Sequence, residues 1–388
     1  MNLATKYLAK VVLIRIIITL VGFTLLFTFF NFISELDQIG KGAFLISSIL
    51  IIVLLKIPNV IYEIIPIATL IGSLWAFSEL ASNSEFTAFR VGGLSPQKVS
   101  LIIFLIGLPI AFFTVFLSEI FIPLSDKFSR DWDKTNFKIK STSNFRSGFW
   151  LRDRFDFNNN DKKNVGERIV NIKKIFPDKS LIGVKIYEFD QNSKLISVIS
   201  ANKGNYIKSK KDVKSEIDKK NDLVLNSWKL MEPKVLTISQ KGTTQLTNHS
   251  VLSIYTKLSE RTIEALTIKP EKMSATELYS FIEYLSFGKQ KTNRYEIAFW
   301  KKVFYPFLLW IMILIAIPAA YIHTRKGSVG YKVFLGMVIG ITFHLGNSLF
   351  SHLGLLNTWP PVIVAFIPCF LALIFGITIF LWAQKNNI

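Results

Sequence analysis

Residues 82–96 combine polar, aromatic and turn-forming side chains at spacings that favour a short capped helix. Ser82 and Glu85 are placed as in a capping box, in which each side chain satisfies a free backbone N–H of the first turn. Gly92 and Gly93 offer the left-handed conformation that ends many helices. The Ser-Pro pair that follows suits the start of the next helix. The spacing therefore predicts a short, rigid helix between two longer ones.

Phe86 and Phe89 are three residues apart and share one face of this predicted helix. An exposed aromatic pair on a loop helix either docks on a partner or rests in lipid, and the sequence leaves both readings open. Glu85 and Arg90 flank the pair and can form ion pairs with charges on a docked partner.

Two carboxylates and two histidines lie in or near apolar stretches, where ionisable groups are costly and face a protein interior or a cavity. Glu63 and Glu119 lie near the ends of such stretches. Glu119 can pair with Arg130, one or two helical turns further on, or it can line a cavity. His344 and His352 are eight residues apart on one helix face, which fits packing histidines or a proton relay.

Other kinds of chemistry are missing from the sequence. No P-loop, no histidine-rich metal spacing and no nucleophile-elbow motif occurs. The only cysteine, Cys369, excludes an intrachain disulfide. The net charge is +19, but the basic residues crowd into the middle of the chain without any nucleic-acid-binding motif, so nucleic acid is not an expected partner.

Half of the residues are hydrophobic, and runs near 20 apolar residues recur, long enough to cross a bilayer. They predict six membrane helices, at 11–33, 58–81, 99–122, 301–321, 332–352 and 361–383. The stretch 43–57 is also apolar. We interpret it as an interfacial helix or a lead-in to the second span, since a seventh span would move the C-terminus to the other side.

Short loops with many Lys and Arg face the cytoplasm, which places both termini inside. The basic residues of the inside segments are Lys6, Lys10, Arg15, Arg90, Lys98, Arg325, Lys326, Lys332 and Lys385. The short outside loops carry only Lys41 and Lys56. Lys127, Arg130, Lys301 and Lys302 lie close outside and oppose this assignment, but long domains translocate largely regardless of charge.

Residues 123–300 alternate with period two between turn formers, which predicts an antiparallel β-domain outside the membrane. It ends in an amphipathic helix at about 274–286, opened by a capping box of Ser274 and Glu277. The predicted domains are thus 1–122, with the short helix at about 82–93, then 123–300 and 301–388. The fold class is membrane α-helical, three helices plus three, around an inserted all-β domain.

Several motifs, in order along the whole chain, resemble the LptF/LptG permease family of lipopolysaccharide (LPS) export. They are Ile65-Pro-Ile-Ala-Thr-Leu-Ile-Gly72, the capped helix with Ser84-Glu85 and Gly92-Gly93, Glu119 with Pro123, and Gly148-Phe-Trp-Leu-Arg-Asp153. Tyr284-Leu285, Arg294-Tyr295 and Trp359-Pro-Pro361 are more similar to the LptG branch. The resemblance implies a periplasmic jellyroll-like domain and a multi-pass protein of the bacterial inner membrane.

The resemblance also implies partners and a mechanism. The partners are a paralogous LptF permease, two LptB ATPases, the single-span LptC, and LPS, which is extracted from the outer leaflet and passed to a periplasmic bridge. The chain is then a transport subunit without its own ATPase site, cofactor or metal. We expect the apolar cavity for LPS to lie between helices one and five of the paired subunits.

Site residues follow from the resemblance position by position. Glu85 corresponds to the acid that meets an ATPase arginine, and we expect Phe86 and Phe89 to fill a groove on that subunit, beside Arg90. Arg130 corresponds to a basic residue at the mouth of the LPS cavity. Some basic positions of the family are Asn31, Asp37, Gln38 and Asp133 here. The expected LPS contacts are therefore Lys41, Arg130, Lys134 and Glu119.

Three alternatives remain open at this point. One is another ABC permease with a large external domain, although such domains typically follow the first helix of four. Another is an ion-coupled secondary transporter that uses Glu63, Glu119 and the histidines, which predicts inverted repeats that the sequence does not display. The third is a membrane scaffold without transport.

Overall fold

The computed structural model of the chain describes residues 3–36, 46–93, 96–136, 148–156, 165–176, 180–190, 192–207, 226–238, 243–256, 268–287, 290–321 and 329–385. Its helices are α1 (Leu3–Leu36), α2 (Ile46–Ser82), α3 (Glu85–Val91), α4 (Pro96–Phe116), α5 (Ile122–Asn136), α6 (Ala275–Phe287), α7 (Asn293–Ala316), α8 (Pro318–Tyr321), α9 (Val329–Leu356) and α10 (Pro361–Lys385). Within these residues, six helical segments are long and apolar enough to cross a membrane. The predicted fold class, six apolar helices around an inserted antiparallel sheet, is confirmed.

The described part of the apolar stretch at 43–57, from Ile46 onward, belongs to the second span. α2 runs without interruption through 37 residues from Ile46, across Pro58 and Pro66. At 1.5 Å per residue it is about 55 Å long, well beyond the hydrocarbon core of a bilayer. The described part of this stretch is therefore a lead-in to the second span, one of the two predicted interpretations, and not a separate interfacial helix.

Helices α1 and α2 cross closely because a glycine lies at the crossing point. A Cβ atom on Gly72 would lie 2.5 Å from the Cα of Ile16. On α1, the buried side chains Leu8, Val12 and Ile16 follow each other at intervals of four residues. These side chains pack in the apolar core formed with α2, so one face of α1 is buried against that helix.

A π-helical turn joins α4 to α5. It spans Leu117–Phe121, and the helix continues from Pro96 to Asn136 on either side of it. A π-turn holds an extra residue, and such turns are frequent at functional sites. Glu119 lies in this turn.

In the described residues of the β-domain, eight strands form an antiparallel sheet. They are β1 (Phe149–Asp156), β2 (Val165–Ile175), β3 (Ser180–Phe189), β4 (Leu195–Ile207), β5 (Asn226–Met231), β6 (Lys234–Ile238), β7 (Thr244–Asn248) and β8 (Val251–Thr256). The order is β1-β2-β3-β4-β5-β8, and β6 pairs with both β4 and β7. Since β4 pairs with β5 near one end and with β6 near the other, the sheet branches there.

A row of polar residues crosses four neighbouring strands. Asp153, Arg168, Glu188 and Ser197 lie directly opposite one another in register from β1 to β4. The Arg168 guanidinium donates to Glu188 at 3.0 and 2.6 Å, and the Ser197 hydroxyl donates to the same carboxylate at 2.6 Å. The Thr256 hydroxyl donates to Asp153 at 2.7 Å. Because a slip of one residue would turn these groups to the other face, the row fixes the register.

The chain divides into two compact units. One consists of Met1–Ser129, Pro270–Ile282 and Lys291–Ile388, and it contains the membrane helices. The other consists of Arg130–Lys269 and Glu283–Gln290, and it contains the sheet. The core of the second unit is built from the inner faces of the strands, with Trp228 and Leu230 fully buried.

Candidate functional site

The short helix α3 follows a sharp turn after α2. Ser84 has a φ of 58°, and Gly93 after the helix has a φ of 90°, so the predicted glycine stop is confirmed. The predicted capping box of Ser82 and Glu85 does not form. Ser82 is the last residue of α2, and its hydroxyl donates to the Glu79 carbonyl at 2.9 Å instead.

Tyr7 on α1 contacts α3 at two positions one helical turn apart. Its hydroxyl donates to the Glu85 carboxylate at 2.9 Å, and its ring centroid lies 6.1 Å from that of Phe89. The Asn83 amide donates to the other oxygen of Glu85 at 3.4 Å. Tyr7, Asn83, Glu85, Glu79 and Arg15 are called the Glu85 cluster below.

The second half of the Glu85 cluster ties α1 to the last turn of α2. Arg15 donates to both oxygens of Glu79, at 2.8 and 2.6 Å. Its guanidinium carbon also lies 4.6 Å from the ring centroid of Trp75. A bidentate pair of this kind fixes the orientation of both side chains. The two ends of the bend between α2 and α3 are therefore both attached to α1.

Phe86 does not belong to an exposed aromatic pair. Its side chain is only 3 % exposed and lies in the same apolar core as Leu8 and Leu80. The expectation that it fills a groove on a partner is therefore wrong, because on α3 this position faces the protein interior. Phe89 is partly buried against the same core, whereas Val91 is 86 % exposed. Arg90 lies in α3, and the structure does not describe its side chain.

Glu119 in the π-turn accepts a hydrogen bond from the start of α6. The backbone N–H of Ala275 donates to its carboxylate at 2.9 Å. The predicted capping box at the same helix start is confirmed: Ser274 N–H donates to Glu277 at 3.0 Å, and Glu277 N–H donates to the Ser274 hydroxyl at 3.1 Å. These three bonds satisfy backbone donors that a helix start otherwise leaves free.

A cavity of about 260 Å³ lies beside Glu119. Its lining combines polar and aromatic side chains from α2, α4, the π-turn, α6 and α7, namely Tyr62, Thr114, Ser118, Glu119, Lys302 and Tyr305, with Ala275 and apolar neighbours. The Lys302 ammonium donates to the Ser118 hydroxyl at 2.9 Å. The rings of Tyr62 and Tyr305 stack at 4.2 Å, and the Tyr305 hydroxyl donates to the Tyr62 carbonyl.

One more ion pair fastens this region. Lys272, just before α6, lies 2.6 Å from Asp126 on α5. Lys272, Asp126, Glu119, Ser118 and Lys302 are called the Glu119 cluster below. The sequence alone does not predict these contacts, because the bonded residues are 146 to 184 positions apart along the chain.

The remaining predicted site residues are not all described. Arg130 is half-buried in α5, and Lys134 lies in the same helix without a described side chain. Lys41 lies outside the described residues. His344 and His352 are exposed on α9, and a ring nitrogen of His352 lies 2.8 Å from the Ser348 carbonyl oxygen. In the described part of the chain, no group of three or more His, Cys, Asp or Glu residues could hold a metal ion.

The spans differ in how much of them the chain itself covers. In the apolar stretch of α7, 61 % of residues are buried, but the corresponding shares are 17 % in α1 and 11 % in α9. Large apolar side chains are exposed along α1, such as Val21, Leu25 and Phe29, and along α9, such as Phe334 and Leu345. These faces are open to lipid or to a partner.

Six spans, an inserted antiparallel sheet and a braced helix between the second and third spans define a multi-pass membrane protein with one large β insertion. The sequence profile described as "Lipopolysaccharide export system permease LptF/LptG" matches residues 6–382, so the chain belongs to the LptF/LptG family. The match covers nearly the whole chain, as the sequence resemblance predicted.

Curated relatives agree with this assignment. The chain is 27 % identical over 374 residues to the lipopolysaccharide export system permease protein LptG of Haemophilus influenzae, covering 96 % of each protein. It is 25 % identical over 384 residues to the protein of the same name from Escherichia coli K12, covering 98 % of each. The family is one of LPS export permeases, so a membrane scaffold without transport is no longer an alternative.

Proposed function

We propose that the chain is the permease subunit of an ABC-type exporter that extracts LPS from the outer leaflet of the inner membrane. In this proposal it pairs with a paralogous LptF subunit, two LptB ATPases drive the pair, and LptC receives the lipid for a periplasmic bridge. The full-length family match together with the Glu85 carboxylate at the surface of α3 is the observation that carries the proposal.

The proposed orientation places both termini and α3 in the cytoplasm and the sheet in the periplasm. The Lys and Arg content of the short loops supports it. Under this orientation the Glu85 cluster is on the side where ATP is available, and the Glu119 cluster is at the periplasmic end of the spans. The chain then contributes no ATPase site of its own.

The coupling site in this proposal is α3 with Glu85, Phe86, Phe89 and Arg90. Glu85 pairs with an arginine of the ATPase, a charge-assisted contact of about 1.5–3 kcal/mol. Phe86 acts from the other side of the helix, because its burial in the apolar core with Leu8 and Leu80 makes α3 a rigid part of the permease. Movement of the ATPase is then transmitted to the spans rather than absorbed by a loose loop.

The proposed cargo path uses the exposed apolar faces of α1 and α9, placed against the corresponding faces of LptF. Acyl chains of LPS fit such a surface, and Arg130, Lys134, Lys41 and Glu119 are the proposed contacts for its polar part. An acyl chain with a dozen methylenes needs roughly 10 kcal/mol to leave an apolar environment for water. A lipid with several chains therefore requires outside work, which favours an ATP-driven partner.

Purification in mild detergent tests the proposal directly. The wild-type chain is expected to bring down the ATPase, the paralogous permease and bound LPS. Glu85→Gln is expected to lose the ATPase by about tenfold or more in affinity while it still inserts in the membrane. Phe89→Ala is expected to reduce export as well, since it removes a contact that holds α3.

Glu63→Gln is the control for the same substitution away from α3, because Glu63 is an exposed glutamate in α2 whose partner Asn59 lies one turn away. It should copurify the ATPase as the wild type does. Normal ATPase binding and normal export in both Glu85→Gln and Phe89→Ala would contradict the proposed coupling site.

A further inference from the structure

One face of α1 touches both sides of the bend that precedes α3. Tyr7 and Arg15 are eight residues apart and so lie on the same face of α1. Arg15 holds Glu79 at the end of α2, and Tyr7 holds Glu85 at the start of α3. The start of α1 is therefore in direct polar contact with the helix that the proposed function assigns to ATPase docking.

The Glu85 carboxylate has a donor on each oxygen but is not saturated. The Tyr7 hydroxyl donates to one oxygen at 2.9 Å and the Asn83 amide to the other at 3.4 Å. An ionised carboxylate can accept about four hydrogen bonds in its plane. Because these two donors favour one orientation of that plane, the remaining acceptor positions have a preferred direction that suits a planar, bidentate donor.

We propose that Tyr7 is a positioning residue that orients the Glu85 carboxylate for a guanidinium group of the ATPase subunit. The proposal rests on the proposed function of α3 and adds a residue on another helix to it. A free glutamate at a helix surface would have to be ordered on docking, and ordering a side chain costs affinity. Tyr7 removes part of that cost before the partner arrives.

The same contact gives α1 a direct connection to the docked helix. Tyr7 bridges from α1 to Glu85 and Phe89 without passing through α2. α1 is also one of the spans whose apolar side chains are least covered by the chain itself. A displacement of α3 during the ATP cycle therefore acts directly on the start of α1 through the side chain of Tyr7.

If Tyr7 had only a structural role, its substitution would lower the thermal stability of the permease. The Tyr7 side chain is exposed, as is its hydrogen bond to Glu85. Removing its hydroxyl should leave the thermal stability of the permease almost unchanged, since exposed polar contacts contribute little. An effect confined to ATPase affinity is therefore the mark of positioning.

The test uses the full membrane complex with its ATPase and measures ATPase affinity, its salt dependence and LPS release per ATP. Tyr7→Phe keeps the ring against Phe89 and removes only the donor. It should weaken ATPase binding about 2- to 12-fold, the range that one hydrogen bond contributes. Asn83→Ala, which loses the longer bond, should have a smaller effect. Tyr331→Phe, another exposed tyrosine, is the matched control and should bind as the wild type does.

Glu85→Gln and the double variant decide between the outcomes. In the Glu85→Gln background, Tyr7→Phe should add no further loss, because Tyr7 acts through the carboxylate. If Glu85→Gln weakens binding but Tyr7→Phe binds as the wild type does, the positioning role is overturned and the docking site stands. A full additional loss in the double variant also overturns it. If Glu85→Gln itself has no effect, the proposed function of α3 fails first.

Discussion

The Glu85 cluster and the Glu119 cluster have similar residues but differ in their hydrogen-bond donors and in their burial. Each contains a glutamate near the end of a span, and each meets the first turn of a short helix. Glu85 takes its hydrogen bonds from exposed side chains, on the surface of α3. Glu119 takes a backbone N–H in a part-buried setting, beside a cavity with Lys302 and Ser118. Residue type and position near the end of a span therefore do not distinguish a glutamate that can bind a partner from one that joins helices within the protein.

The two clusters also differ in what they join. The Glu85 cluster braces a bend between consecutive helices, α2 and α3, from α1. The Glu119 cluster joins α5 and the π-turn to the start of α6 and to α7, which are far away in sequence. We therefore expect substitutions in the Glu119 cluster to act on stability, and those at Glu85 to act on partner binding.

The largest loss of stability is expected at Phe86, because its side chain holds α3 against the protein core. Phe86→Ala removes a buried aromatic side chain and should lower the free energy of unfolding by about 3–5 kcal/mol, on the scale measured in soluble cores. The affinity for the ATPase should also fall, since α3 loses its packing against the core. Val91→Ala, at an exposed position of the same helix, is the control and should change stability by less than about 0.5 kcal/mol.

Thermal unfolding in detergent measures both variants. Equal melting temperatures for Phe86→Ala and Val91→Ala would contradict the burial of Phe86 in the apolar core with Leu8 and Leu80. A smaller loss in Phe86→Leu than in Phe86→Ala would sharpen the assignment, because leucine refills part of the volume.

A smaller effect is expected at Glu119. Glu119→Ala leaves the Ala275 N–H without its acceptor and should destabilise the protein by about 1 kcal/mol, the low end of the cost of an unsatisfied donor, because this hydrogen bond is only part-buried. Glu119→Gln keeps an acceptor oxygen and should lose less. Glu63→Ala, at an exposed glutamate, serves as the control. The comparison of the two clusters would fail if Glu119→Ala reduced ATPase affinity while stability stayed at the wild-type value.

Local features of the fold were predictable from the sequence, and nonlocal ones were not. The apolar runs gave the six spans, and the capping box at Ser274 and Glu277 needs only residues three apart. The Glu119 contact with Ala275 joins residues 156 positions apart, and that of Tyr7 with Glu85 joins residues 78 apart. Periodicity carries no information about such pairs.

The expectation for Phe86 failed for a physical reason. On a helix as short as α3, the spacing of Phe86 and Phe89 defines a shared face but not what that face meets, and Phe86 packs in the protein core.

ATP-driven LPS transfer in proteoliposomes shows whether Glu85 couples the permease to its ATPase. The complete complex, loaded with LPS, is given ATP and a periplasmic acceptor protein, and the LPS crosslinked to the acceptor is measured over time. We expect ATP-dependent transfer with the wild-type chain, transfer reduced at least about tenfold with Glu85→Gln, and normal transfer with Glu63→Gln. Transfer at the wild-type rate by the Glu85→Gln complex would contradict the account.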